Sequence, residues 1–408
     1  MRSLAVLSMH TSPLAQPGTG DGGGMNVYVR ELAAALARAG VRCDVYTRAA
    51  DPDSAPIVSV EPGLSVHHVP AGPLAPVPKE ALHGLVPEFT DAVLQRMAAG
   101  HPAEAIHANY WLSGVAGHTI KHELDLPLVS TFHTLDRVKA EVDLADDGEH
   151  RSEEEARIIG CSDSVLASCD DEVAQLVRLY GADPSRVEIV APGVDHAFFA
   201  PGQRRQARRA IGLPEDGRML LFVGRIQPLK GLEVAIRALG ELAPRCPDAF
   251  LVVVGGPSGP SGQAEVDRMH ALVATLGLDD RVRFVPPQAH ELLSTFYRAA
   301  DVTVVPSRSE SFGLVALEAA ACGIPVVASA VGGLTSLVDD GRTGFLVEGR
   351  AASDFAAAIA AILQDPVLAA DLGRRAAIRA RSYTWSIAAQ RLCALYATLT
   401  SRELVECP

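Results

Sequence analysis

Ala191-Pro-Gly-Val-Asp-His-Ala-Phe-Phe-Ala-Pro-Gly202 is the stretch that divides the chain. It holds two Pro-Gly pairs. Proline fixes φ and removes an amide donor, and glycine frees the next residue, so neither a strand nor a helix runs through. On both sides short apolar runs alternate with longer helical patterns. Before it, candidate strands are Leu4–Ser8, Val41–Thr47, Ser65–Val69, Ala105–Ala108, Leu128–Thr131, Val165–Ser168 and Val187–Val190, with helix-like stretches such as Val27–Ala39 and Leu112–Glu123 between them. After it come Met219–Val223, Phe250–Val254, Val282–Val285, Val302–Val305, Val326–Ala328 and Phe345–Val347. Strand, helix, strand repeated in this way predicts α/β architecture with parallel sheets covered by helices on both faces. The stretch therefore reads as a linker between two Rossmann-like, doubly wound domains, 1–195 and 196–383. An alanine-rich helical tail begins at Ala351, and its last part, 384–408, is expected to cross back to the first domain.

Composition narrows the function. A chain of 408 residues suits two or three domains, and a formal charge of −13 excludes bulk attraction to nucleic acid or anionic membrane. A local basic site for phosphate stays open. Seven cysteines (43, 161, 169, 246, 322, 393, 407) are scattered without a CxxC pair, which predicts reduced, packed thiols and a cytoplasmic protein. The opening MRSLAVLSMH is a strand, too short for a signal peptide or a membrane span. Asp51-Pro-Asp53 spells a metal-binding DxD but sits in a Pro/Ser loop and reads as surface. No GxxxxGK[ST], HExxH or GxSxG is present, which argues against the commonest nucleotidase, zinc protease and serine hydrolase designs. No metal-ligand set is expected.

Four motifs carry the chemistry, each at the carboxyl end of a candidate strand, where open parallel sheets bind ligands. Pro17-Gly-Thr-Gly-Asp-Gly-Gly-Gly-Met-Asn26 lies between the first strand and the first helix. Gly18, Gly20 and Gly23 fit GxGxxG, but the loop from Ser8 is too long for a dinucleotide fingerprint. It reads instead as a loop offering backbone N–H groups to an anion. Phe222-Val-Gly-Arg-Ile-Gln-Pro-Leu-Lys-Gly231 places Arg225 and Lys230 where a departing nucleoside diphosphate would develop charge. Glu310-Ser-Phe-Gly-Leu-Val-Ala-Leu-Glu318 spaces two carboxylates eight residues apart, about 80° off a common helical face. Glu310 is then a loop residue and Glu318 lies two turns into a helix, with Ser311–Leu314 offering N–H groups to phosphate at its start. Ser130-Thr-Phe-His-Thr134 ends a buried strand and puts His133 and Thr134 at its edge.

Gly-Gly-Met-Asn-Val-Tyr after the first strand, Gly-Arg-x4-Lys-Gly and Glu-x7-Glu together resemble the retaining GT-B glycosyltransferases of family 4, over nearly the whole chain. The likeness is greatest to the branch that glycosylates 1D-myo-inositol 3-phosphate on the way to mycothiol. It rests on Met9–Asp21, Tyr110-Trp-Leu-Ser-Gly114, Gly255-Gly-Pro-Ser-Gly259 and Ser309–Ala316. Bacterial sucrose-phosphate synthases share part of the pattern. The resemblance implies a GT-B fold with two domains facing a cleft and a retaining hexosyltransferase. Uridine diphosphate N-acetylglucosamine would be the donor and 1D-myo-inositol 3-phosphate the acceptor. It implies catalytic roles for His133, Arg225, Lys230 and Glu310. Donor contacts fall to Gly23, Arg225, Lys230, Gln288, Glu310, Ser311, Phe312, Gly313, Leu314 and Glu318. Acceptor contacts fall to Asn26, Lys79, Tyr110, Thr134 and Arg151, with Arg157 as a rival to Arg151. Arg151 is preferred because Glu155 follows at the family's four-residue spacing. No cofactor is required, a divalent metal is not indicated, and a homodimer is compatible.

The chain departs from the family on the acceptor side. His107-Ala-Asn109-Tyr110 replaces His-Ser-His-Tyr, Val129–Thr134 replaces His-Thr-x-His-Thr, and the segment Glu153–Ser162 is less polar. Two alternatives therefore stand: a paralogue using another uridine or guanosine diphosphate sugar and another small acceptor, such as a low-molecular-weight thiol or cyclitol, or a non-catalytic nucleotide-sugar-binding protein.

Overall fold

The computed structural model describes residues 2–18, 20, 22–144, 148–259 and 261–407. They form two compact units. The first comprises Met1–Ala15, Gly24–Gly193 and Trp385–Pro408; the second comprises Gln16–Gly23 and Val194–Thr384.

In the first unit the elements run β1 (Ser3–Leu7), α1 (Gly24–Arg38), β2 (Arg42–Arg48), β3 (Ile57–Glu61), β4 (Leu64–Val69), α2 (Val86–Ala98), β5 (Ala105–Asn109), α3 (Trp111–Leu124), β6 (Leu128–Thr131), α4 (Asp136–Ala140), α5 (Gly148–Cys161), β7 (Ser164–Ala167), α6 (Asp170–Tyr180) and β8 (Val187–Ile189). They build one eight-stranded sheet, ordered β3-β4-β2-β1-β5-β6-β7-β8. The apolar runs of β1, β5, β6 and β7 are buried on both faces, as parallel strands under crossover helices must be. One strand departs from the expected all-parallel sheet: β3 pairs antiparallel with β4, Ile57 opposite His67. Its alternation is short and exposed, which is how an edge strand hides in a polar loop.

The second unit runs α7 (Arg204–Ala210), β9 (Arg218–Val223), α8 (Leu232–Leu242), β10 (Ala249–Val254), α9 (Gly262–Thr275), β11 (Val282–Val285), α10 (His290–Ala299), β12 (Val302–Val305), α11 (Leu314–Ala321), β13 (Val326–Ser329), α12 (Gly333–Leu337), β14 (Gly344–Val347), α13 (Ala352–Gln364) and α14 (Pro366–Ala380). Its six strands are all parallel, ordered β11-β10-β9-β12-β13-β14. This is the dinucleotide-fold order, which reverses direction between its first and fourth strands. A final helix, α15 (Trp385–Leu399), belongs to the first unit. There Trp385, Leu392 and Tyr396 share an apolar core with Tyr28, Val29 and Leu32 of α1.

Two cysteines correct the expectation of reduced thiols throughout: Cys161 and Cys407 are joined in a disulfide. Cys43, Cys169, Cys246 and Cys322 are free and buried, and Cys393 is free and half-buried. Cysteine usage thus loses its force as a guide to compartment. No single helix among the described residues is long and apolar enough to cross a membrane. Asp51 and Asp53 are exposed, and the Asp51 carboxylate accepts from the Asp53 amide in a loop turn.

Candidate active site

In each sheet the topology selects one edge. The strand order reverses between β9 and β12 in the second unit and between β1 and β5 in the first. A crevice opens beyond the carboxyl ends of strands at such a point, because the following helices leave on opposite faces.

In the second unit, β9 leads into Arg225 and Lys230, and β12 leads into Glu310. Lys230 Nζ donates to Glu310 Oε2 at 2.6 Å, and Ser307 Oγ donates to the same oxygen at 3.3 Å. Lys230 closes a 3-10 turn, Pro228–Lys230, and Gly231 follows with φ +71°. Gly231 cannot be replaced there: a Cβ would lie 2.0 Å from the Pro306 carbonyl oxygen, so backbone contact between the two loops sets where Lys230 stands. Arg225 Nη1 donates to Ser258 Oγ at 3.1 Å.

The glycine loop completes this edge. Gln16 Nε2 donates to the Pro287 carbonyl at 3.0 Å, and Gly18 N donates to Gly22 O at 2.8 Å. A Cβ on Gly23 would stand 3.2 Å from Arg225 Nε, so the guanidinium approaches bare backbone there. Thr19 and Asp21 lie outside the described residues. Gln288 is half-buried and turns its amide onto its own chain, donating to Pro286 O at 2.8 Å.

Glu310 and Glu318 do not share a face. Glu318 lies inside α11, where Tyr297 Oη donates to Oε2 and His290 Nε2 lies against Oε1, both at 2.7 Å. Its side chain keeps 7% exposure, so a buried carboxylate is held by two ring partners from α10. Neither partner was visible in the sequence; His290 and Tyr297 carry no motif. The stretch before α11 is also fixed. Phe312 is buried against the Tyr383 ring, centroids 5.8 Å apart, and Gly313 forms the helix N-cap. Ser311 and Leu314 flank them, half-buried, at the start of the helix.

In the first unit, Tyr110 follows β5 and His133 follows β6. Both hold positive φ, +75° and +62°. Bulky L-residues in that region cost roughly 1–3 kcal/mol each, and such strain concentrates at functional sites. The Tyr110 ring is the hub. Lys79 Nζ lies 5.3 Å and the Arg151 guanidinium 5.0 Å from its centroid, within cation–π range. The His10 ring packs on it at 4.4 Å. Arg151 is buried and donates to Glu155 Oε1 at 2.8 Å and to the Thr134 carbonyl at 2.9 Å. Arg157, its rival, is exposed and pairs with Glu154. Asn26 is buried in α1 and donates its amide to Thr11 Oγ1 and Ser12 O at 2.7 and 2.6 Å, pinning that turn.

His133 is held by Asn109, one of the departures from the family pattern, with Nε2 3.0 Å from Oδ1. Asn109 Oδ1 can only accept, so Nε2 carries the proton. Burial, with a smaller push from His107, holds the His133 pKa down at about 3; burial holds His107 at about 3 as well. Both imidazoles are neutral near pH 7. His107 bridges Thr131 Oγ1 and Tyr396 Oη, each at 2.8 Å.

This sets a pH dependence. The unfolded chain protonates these histidines near 6.5 and the folded chain does not, so stability is full above about pH 6.5 and falls as pH drops toward 3. Each group contributes a slope of up to about 1.4 kcal/mol per pH unit. Urea midpoints of the first unit should fall between pH 6.5 and 5, and His107→Gln should flatten that fall. An unchanged slope in the variant would remove His107 as a cause.

Comparison with known proteins agrees with the two folds. Residues 22–198 match the model of Glycosyltransferase Family 4, and residues 203–379 match Glycosyl transferases group 1. The chain belongs to this glycosyltransferase family, and it is a transferase. It is 48% identical over 404 residues to D-inositol 3-phosphate glycosyltransferase 2 of Catenulispora acidiphila, covering 97% of this chain and 94% of that one. It is 47% identical to the D-inositol 3-phosphate glycosyltransferase of Acidothermus cellulolyticus, covering 97% and 90%. Among solved structures, the sucrose-phosphate synthase of Thermosynechococcus elongatus matches at a TM-score of 0.91 and 36% identity, covering 98% and 99%.

Proposed function

We propose that this glycosyltransferase moves N-acetylglucosamine from its uridine diphosphate ester to 1D-myo-inositol 3-phosphate with retention of configuration. The observation that carries the acceptor is the pair of cations on one ring: Lys79 and Arg151 flank Tyr110 beside Thr134 at the carboxyl edge of β5 and β6. A phosphate is a ligand such a set recognises, since charge-assisted bonds from fixed cations favour it over a neutral polyol. The names of the relatives support the same acceptor.

On the donor side Arg225 and Lys230 would carry the leaving diphosphate, with Gly23 and Ser311–Leu314 supplying N–H groups. Glu318 would take the ribose hydroxyls, Glu310 and His133 the donor sugar, and the main chain at Gln288 the base. The reaction would be front-face: the leaving phosphate takes the acceptor's proton while the two cations hold its charge. The paired-carboxylate scheme of retaining glycosidases is then not needed.

The test is a kinetic comparison of inositol phosphate with inositol. Lys79→Ala should raise KM for the phosphorylated acceptor roughly 10- to 100-fold, the loss of one charge-assisted contact, with little change in kcat. An unchanged KM would sink the phosphate assignment. One observation favours a second reading. Asn109, in place of the family's histidine, is the partner of His133, so another small polar acceptor is an outcome of the same screen run with cyclitols and low-molecular-weight thiols.

A further inference from the structure

We propose that His118, His122, Cys161 and Cys407 form a structural zinc site that clamps residues 401–407 onto α3 and α5. Their ligand atoms all lie within 4.8 Å of one another. His118 and His122 are one helical turn apart on α3, so both imidazoles face the same side. Their rings meet edge-on with centroids 4.8 Å apart. Cys161 closes α5, and Cys407 arrives from the tail with Sγ 3.0 Å from His122 Nε2.

Separate bonds deliver the tail. Val405 N donates to Asp163 Oδ1 at 2.7 Å. Lys121 Nζ ties Asp163 Oδ2 and the Cys161 carbonyl together, both at 2.8 Å. The cluster is therefore not an accident of one contact; Lys121 and Asp163 would support it from behind, as second partners steady metal ligands.

Two thiolates and two imidazoles make a closed, neutral tetrahedral set for Zn2+, the design of structural rather than catalytic sites. Bond lengths of about 2.0–2.3 Å imply ligand separations of about 3.3–3.8 Å, so the two bonded sulfurs must part, while the other ligand atoms already lie within 4.8 Å of one another. Arg157 Nη1 lies 3.3 Å from His118 Nδ1 and must give up that contact, while Glu154 keeps the guanidinium.

The disulfide is the competing state, since a disulfide sulfur is no thiolate ligand. A dithiol reductant supplies two electrons and two protons to the S–S bond, giving two thiols and leaving itself oxidised. Each thiol then releases one proton as its sulfur binds zinc. A disulfide alone gives no role to the two imidazoles beside it. The metal also has structural reach, because α5 carries Arg151 and Glu155.

The experiment measures metal in the full chain purified with a dithiol reductant, then incubated with zinc and desalted. About one zinc per chain is expected, falling at least tenfold in both His122→Ala and Cys407→Ser. Cobalt(II) in place of zinc should give thiolate-to-metal absorption and the intense visible bands of a tetrahedral site. His122 is exposed and Cys407 lies in the tail, so neither variant should unfold the chain. Reduced protein that takes up no zinc, or variants that keep it, would overturn the proposal. So would a disulfide that persists in the reductant.

Discussion

Lys230→Ala is expected to lower kcat by roughly 10²- to 10³-fold, about 2.7–4 kcal/mol of barrier, the cost of removing one fixed donor from a developing oxyanion. The effect should fall on kcat more than on donor KM, because charge on the leaving diphosphate grows in the transition state. Two losses act together. The cation disappears, and Glu310, whose side chain keeps 18% exposure, loses its 2.6 Å ion-pair partner and keeps only the Ser307 hydroxyl, a carboxylate without a countercharge beside the proposed diphosphate position. The fold should survive, since a partly exposed ion pair contributes about 0–1 kcal/mol. Lys230→Arg should recover part of the rate if charge is what counts. The measurement is single-turnover kinetics together with a thermal midpoint. Near-normal turnover with an unchanged midpoint would end the diphosphate assignment.

The largest effect on stability is expected at Arg151→Ala, about 3–5 kcal/mol, the usual cost of leaving one member of a buried ion pair alone. Arg151 and Glu155 are both 0% exposed. The remaining carboxylate is crowded: Glu155 Oε2 also accepts from Asp136 N at 2.9 Å and from Tyr180 Oη. Burial already pushes the Glu155 pKa up, opposed chiefly by Arg151, so removing the arginine should push it further and leave a protonated acid. The loss should therefore shrink as pH falls toward 5, where that proton is more readily supplied. Arg151→Ala with Glu155→Ala should cost less than the two single changes added, with a coupling of a few kcal/mol. Thermal midpoints across pH read this out; additive losses would show that the pair does not act as a unit. Acceptor KM should rise as well, because Thr134 loses the two bonds that place it.

Much of this was open to reading in one dimension. Uninterrupted apolar runs such as Met219–Val223 and Phe250–Val254 are long enough to mark buried parallel strands, and Gly-Arg-x4-Lys-Gly announces a charged loop after one of them. Arg151 and Glu155 are four apart on a helix, where side chains meet, so their pairing follows from spacing. Lys230 and Glu310 are not visible in that way. They are 80 residues apart, and only the reversal in strand order puts their loops side by side. His290 and Tyr297 escaped because an unremarkable helix aims them at Glu318, a matter of packing. The edge strand Ile57–Glu61 was lost in a polar loop, and Cys161 with Cys407 was lost because 246 positions separate them.

The place of α15 bears on how the chain is made. The apolar face of α1, with Tyr28, Val29 and Leu32, is covered by Trp385, Leu392 and Tyr396. A ribosome delivers these halves of one core almost 360 residues apart. The second unit needs nothing beyond Thr384, so it can finish folding while the first still waits with an open greasy seam. Newly made chains thus carry their aggregation hazard at the amino-terminal unit, the one synthesised first, which is completed last.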